Sequence, residues 1–205
     1  MIYHKHKFIF VHVPKCGGTA IEKFFLEKEN ISLNWRVRAP LNHLPAEHKK
    51  EYMLHQGTHF SLGKFPKDWR EEYFSFSFVR NPWSKMVSCY KYFAHTPKDI
   101  SFEEYIIRFG NQEEYYTHKN PFKRVHFSEQ YKFVKGCNFI GRFENLQDDF
   151  NKACEHINIK AEQLPKENIS KNRTHYTEYY NTKTKDIVFN KYEKDIKLFK
   201  YEFES

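Results

Sequence analysis

The sequence contains no run of 18 apolar residues, so no membrane-spanning helix is expected. Lys5, His6 and Lys7 are followed by only a short apolar run, so a secretory signal peptide is not expected either. Glycine and proline are scarce, at 7 and 8 residues in 205, which excludes collagen-like or linker-like sequence. The four cysteines, Cys16, Cys89, Cys137 and Cys154, lie far apart and form no CxxC pair. That spacing excludes a zinc-finger framework, and a chain of this length needs no disulfide scaffold. Thiols in a reducing compartment are the expectation. Twelve histidines occur without an HExxH motif, and no metal site is expected. A GxxxxGK[ST] loop is also missing, so a kinase-type phosphate loop is a poor match.

What is abundant is aromatic and basic. Aromatic residues make up 19% of the chain, with 21 Phe and 14 Tyr, which argues against disorder. The length fits one domain over residues 1–205 with a core of its own. A formal charge of +8 points to an anionic partner: nucleotide, polyanion, nucleic acid or acidic surface. Charge does not choose among them, and a solvated basic face would carry the same charge. No RRM or zinc-finger signature is present, so nucleic acid is not the expected partner.

Hydrophobic patterning divides the chain into alternating elements. Phe8 to Val13 (FIFVHV) reads as a strand buried on both faces. The PKCGGT turn breaks it, and a helix is expected from about Thr19 to Lys28. Tyr52 to Gln56 is a second strand candidate, Phe74 to Val79 (FSFSFV) a third and Cys137 to Arg142 a fourth. Asn81-Pro82 supplies an N-cap and a first-turn proline for a helix from about Pro82 to Ala94. Ser101 and Glu104 fit a capping box for a helix ending near Phe109. The stretch from Gly110 to Ser128 reads as an irregular, substrate-facing insertion. Helices are expected again from about Leu146 to Ile157 and from Thr182 to Tyr192, the last leading into an amphipathic tail. Strands alternating with helices predict an α/β fold: a single P-loop-like domain with a central parallel β-sheet flanked by helices.

Two segments carry chemistry. In Pro14-Lys15-Cys16-Gly17-Gly18-Thr19 a buried strand ends, two glycines allow a tight turn, and a helix begins. A helix N-terminus offers amides without intrahelical acceptors and the positive end of the helix dipole. Lys15 adds a point charge and Thr19 a hydroxyl, which together make a cradle for a phosphate. An ordinary strand-to-helix turn would use the same residues. In Phe78 to Ser88, Arg80 stands at a strand end, where open α/β sheets bind ligands. Ser88 follows eight residues later, about two helical turns on. An arginine can clamp a phosphate in bidentate fashion while a hydroxyl adds one bond. Arg80 could equally pair with a carboxylate and Ser88 face another helix.

Taken together, in this order and spacing, the two segments resemble the sulfotransferases that use 3′-phosphoadenosine 5′-phosphosulfate (PAPS). The likeness is to the carbohydrate branch, which includes heparan 2-O and chondroitin enzymes and bacterial relatives. PKCGGTA (14–20) resembles the 5′-phosphosulfate loop and FVRNPWSKMVS (78–88) the 3′-phosphate motif. The likeness continues through GRFENL (141–146), Asn172, His175, Tyr179, Tyr180 and DIKLFKYEF (195–203). It implies that Lys15, Cys16, Gly17, Gly18, Thr19 and Ala20 hold the phosphosulfate, largely through backbone amides. Lys15 would also stabilise charge on the bridging oxygen as the sulfuryl group leaves. Arg80 and Ser88 would hold the 3′-phosphate. Cys16 departs from the Ser or Thr of many relatives, and a thiol is a weak donor. Lys171, Asn172 and Arg173 lie in the comparable late region.

A hydroxyl acceptor must lose its proton during in-line attack. His55-Gln56-Gly57-Thr58-His59 is similar to the paired-histidine segment of the 2-O branch, which implies His59 as general base, with His55 as runner-up. Either histidine could instead be an ordinary core or surface residue. Glu144 is read as holding structure or adenine-side contacts. The implied acceptor is a glycan or another hydroxyl compound, and no metal is required. Lys119, Lys123, Arg124, Lys171 and Arg173 could draw an anionic polymer or simply be solvated. A cytoplasmic enzyme is expected. The competing readings are a small nucleotide kinase or a non-catalytic polyanion-binding protein.

Overall fold

Two phenylalanine-rich runs form the middle of the sheet. The computed structural model describes residues 1–28, 59–93, 100–110, 121–165 and 174–204. The strand candidate at Tyr52–Gln56, with His55, Lys119 and Lys171 to Arg173, lies outside the described residues. The described chain forms two compact units, Met1–Val79 with Phe133–Ile169, and Arg80–Lys132 with Ser170–Ser205.

The first unit holds a four-stranded sheet in sequence order: β1 (Ile2–Tyr3), β2 (Phe8–Val11), β3 (Phe74–Val79) and β4 (Phe139–Arg142). β2, β3 and β4 are parallel, with Phe10 opposite Phe76 and Phe78 opposite Gly141. β1 adds an antiparallel edge that pairs Ile2 with Ile9. It is two residues long, too short to leave a period-two pattern in the sequence. All four residues of β2 are buried, as its continuous apolar run predicts.

One face of the sheet is a ring-on-ring core. Phe25 of α1 (Gly18–Lys28) packs on Phe8 at 4.7 Å between centroids, and Phe24 meets Phe150 of the helix Leu146–His156 at 4.9 Å. The alternate serines of β3 are buried but bonded. Ser77 Oγ donates to the Val11 carbonyl at 2.6 Å, and Ser75 pairs with Asn138. A short helix, α2 (Lys67–Glu72), buries Trp69; the polar sequence around one tryptophan gave no helical periodicity.

The second unit is helical: α3 (Pro82–Phe93), α4 (Phe102–Gly110), α5 (Pro121–His126) and a final helix over Thr182–Phe199, while the short α6 (Tyr131–Val134) runs across the boundary between the two units in the chain. With the Leu146–His156 helix as α7, the final one is α8. Trp83, Met86, Tyr105, Ile106, Phe127, Val188, Tyr192 and Ile196 form one buried cluster. Asn81 Oδ1 accepts from the Trp83 amide at 3.0 Å, the expected N-cap. Ser101 Oγ accepts from the Glu104 amide at 3.1 Å, while the Glu104 carboxylate pairs with Arg108.

Two expectations fail here. The segment expected to be irregular contains α5, because Pro121 fits a first-turn position and the chain then buries His126 and Phe127. The final helix does not stop at Tyr192 but bends there (φ −112°, ψ 21°) and continues to Phe199. Tyr192 is buried, its hydroxyl donates to the Phe127 carbonyl at 2.9 Å, and burial of Asp195 and Ile196 carries the helix onward. Among the described residues, no helix is long and apolar enough to cross a membrane.

Candidate active site

The glycine turn lies at the carboxyl end of β2. Lys15 (φ 65°) and Gly17 (φ 82°) both adopt the left-handed region. For a lysine this costs on the order of 1 kcal/mol, the kind of strain that collects at functional turns. α1 begins at Gly18, and the Gly17 carbonyl accepts from the Ala20 amide at 3.1 Å. No acidic residue occupies the first turn, so the positive end of the dipole is not offset there.

Each glycine has its own steric reason. A Cβ on Gly17 would come within 2.8 Å of Leu146 Cδ2, in addition to its unfavourable φ. A Cβ on Gly18 would fall 2.2 Å from His12 Cδ2 and 2.3 Å from His12 Nε2. Phe143 lies in the turn after β4 and Leu146 opens α7. Asp149 fixes that turn by accepting from the Arg142 amide at 2.8 Å and from Asn145 Nδ2 at 3.1 Å. Burial tends to raise the Asp149 carboxyl, but bonds from Lys152 and the Arg142 amide outweigh it and hold it below the usual carboxylate range.

His12 was not singled out by the sequence reading. It is only 7% exposed, and its Nδ1 lies 3.1 Å from Glu22 Oε1 on α1. The Nε2 edge of the ring lies against Gly18. The visible signal was a histidine in phase with Phe8 and Phe10 along a buried strand. His59 Nδ1 faces the His12 carbonyl at 3.1 Å, and the two rings meet edge-on with centroids 4.6 Å apart. A proton on His59 Nδ1 leaves Nε2 as its basic nitrogen. Lys15 through Ala20, His12, Glu22 and His59 all belong to the first unit. The Cys16 side chain is buried and donates to the Pro14 carbonyl at 3.4 Å, so it turns into the protein.

Arg80 and Ser88 belong to the second unit. Ser84 and Ser88 share one face of α3, Arg80 precedes the helix four residues before Ser84, and all three are half-buried. Arg80 Nε donates to Ser84 Oγ at 3.0 Å. The Arg80 backbone is gripped from both sides by one side chain. Gln130 Oε1 accepts from the Arg80 amide at 2.8 Å, and Gln130 Nε2 donates to the Arg80 carbonyl at 2.8 Å. Lys85 in the first turn of α3 is fully buried and donates to the Ser128 carbonyl at 2.9 Å. Its α3 position faces the core cluster, where Tyr192 takes the ammonium over its ring at 5.3 Å. Glu144 is exposed.

The arrangement in the first unit suits an anion with a proton acceptor beside it. The arrangement in the second suits a cation fork with hydroxyls on its face. Three comparisons bear on the chemistry. The model of the sulfotransferase family matches residues 1–202. Over 92 residues the chain is 33% identical to an uncharacterised protein of Archaeoglobus fulgidus, covering 44% of this chain and 72% of that protein. The crystal structure of a sulfotransferase from Alicyclobacillus acidocaldarius shares the fold, with a TM-score of 0.55 and 12% identity over 96% of each chain.

Proposed function

The chain belongs to the sulfotransferase family, and within it we propose an enzyme that moves a sulfuryl group from PAPS to an acceptor hydroxyl, on a glycan, through one catalytic domain. The observation that carries this reading is the glycine turn. A left-handed Lys15 and two side-chain-free positions stand at a helix N-terminus with no acidic residue in its first turn. In this reading the amides of Gly17 to Ala20 hold the phosphosulfate, and the Lys15 ammonium stabilises the charge that builds on the bridging oxygen as the S–O bond breaks. Arg80 and Ser88 hold the 3′-phosphate, and Ser84 joins them on the same face. His59 takes the acceptor proton on Nε2.

A second assignment of the base rests on the Glu22–His12 pair. The Glu22 carboxylate stands 3.1 Å from His12 Nδ1, with the other ring nitrogen against Gly18, and a carboxylate beside an imidazole also suits a proton acceptor. Turnover of PAPS to adenosine 3′,5′-bisphosphate with a panel of polysaccharides separates the two. His59→Ala is expected to bind the bisphosphate normally and to lose about 10²- to 10⁴-fold in turnover. Full turnover in His59→Ala with loss in His12→Ala would move the base to His12. Binding of Mg-ATP in preference to the bisphosphate would replace the whole reading with a kinase. Salt-sensitive glycan binding with no nucleotide effect would replace it with a polyanion-binding protein.

A further inference from the structure

Resting on that reading of Arg80, we infer that Gln130, itself held by Asp195, is the positioning residue that aims Arg80 and thereby sets the preference for a 3′-phosphorylated nucleotide.

Gln130 lies 50 residues from Arg80 in sequence, yet it bonds both Arg80 backbone groups in the way a neighbouring strand would. Arg80 sits just beyond the carboxyl end of β3, where strand pairing no longer fixes the backbone. A long arginine side chain repeats any tilt of its own backbone at the guanidinium several ångströms away. The Nε bond to Ser84 then sets the plane of the guanidinium fork.

The clamp is rigid because it is anchored in turn. Gln130 is fully buried, and its backbone N–H donates to Asp195 Oδ2 at 2.7 Å. The Tyr131 amide donates to Asp195 Oδ1 at 2.9 Å, so one carboxylate fixes two successive residues. Asp195 is itself fully buried on α8, just past the bend at Tyr192. Tyr192 holds the Phe127 carbonyl, and Lys85 holds the Ser128 carbonyl. The whole turn over 127–131 is thus bonded to α3 and α8 by buried polar groups. Buried polar networks of this kind persist only when fully satisfied, and then they specify one geometry. A glutamine spent on a backbone, between two helices that could have closed with apolar residues, is explained by the need to place Arg80.

The test compares the Kd of adenosine 3′,5′-bisphosphate with that of AMP, using the full chain and three variants. Loss of folded protein alone lowers both apparent affinities equally, so the ratio reports aim rather than stability. Gln130→Leu is expected to lower the wild-type preference for the bisphosphate about tenfold, with AMP affinity unchanged. Asp195→Asn, which preserves volume and one acceptor, is expected to lower it by about threefold. Arg80→Ala sets the floor. If Gln130→Leu is poorly folded, Asp195→Asn is judged by the same ratio. An unchanged ratio, or equal weakening of both ligands, overturns the inference while leaving the role of Arg80 intact. A wild-type protein with no preference for the bisphosphate overturns the underlying reading of Arg80, and this inference with it.

Discussion

The glycine turn and the Arg80 face are built in opposite ways. The turn is shaped by backbone: two left-handed residues, a helix start, and side chains that fill the space two missing Cβ atoms leave. Arg80 is shaped by side chains that come from 50 and 115 residues away in sequence. A contiguous motif can be read from six residues. A clamp assembled through Gln130 and Asp195 leaves no local trace.

The largest expected effect breaks the first half of that contrast. Lys15→Ala removes the charge proposed to act on the bridging oxygen and should lower turnover about 10²- to 10³-fold with bisphosphate affinity less affected. A loss confined to affinity would show that the turn only binds. Arg80→Ala comes next. It should weaken the bisphosphate by about 1.5–3 kcal/mol while leaving AMP unchanged, as titration of both ligands would show.

Asp149 sharpens the contrast, because it is where the glycine turn does depend on a distant side chain. Asp149→Ala removes the carboxylate acceptor of the Arg142 amide and of Asn145 and should cost about 1–3 kcal/mol of stability by denaturant titration. The native carboxyl is held below its usual value, so its contribution is present above the ordinary carboxylate range. It is lost as pH falls through the depressed native value. Asp149→Asn should therefore flatten the acid limb of a stability-versus-pH curve. A smaller effect is expected at Asn81. Asn81→Ala removes the α3 cap and should cost about 1 kcal/mol in thermal unfolding. Smallest is Cys16→Ser. The thiol faces the Pro14 carbonyl rather than the turn's outer surface, so bisphosphate affinity should stay within about twofold.

Legibility in the sequence followed the range of the interactions. A continuous apolar run gave β2, the alternating FSFSFV pattern gave β3, and local capping chemistry gave the starts of α3 and α4. The α5 helix and the extension of α8 were missed because tertiary burial of Phe127, Tyr192 and Ile196 decides them, not local periodicity. In the site, the glycines were legible because a turn announces itself in composition. The reason Gly18 must be glycine was not, since it lies in the imidazole of His12. Histidine, glutamate, glutamine and aspartate at positions 12, 22, 130 and 195 acquire meaning only from partners that folding supplies.

The most direct measurement is the melting temperature with adenosine 3′,5′-bisphosphate, with AMP and Mg-ATP as controls. At a hundredfold excess over its Kd a ligand adds about 2.7 kcal/mol, which for a chain of this size raises Tm by roughly 5–10 °C. The account predicts that shift for the bisphosphate and a clearly smaller one for AMP. No shift with the bisphosphate, or a larger one with Mg-ATP, would contradict it.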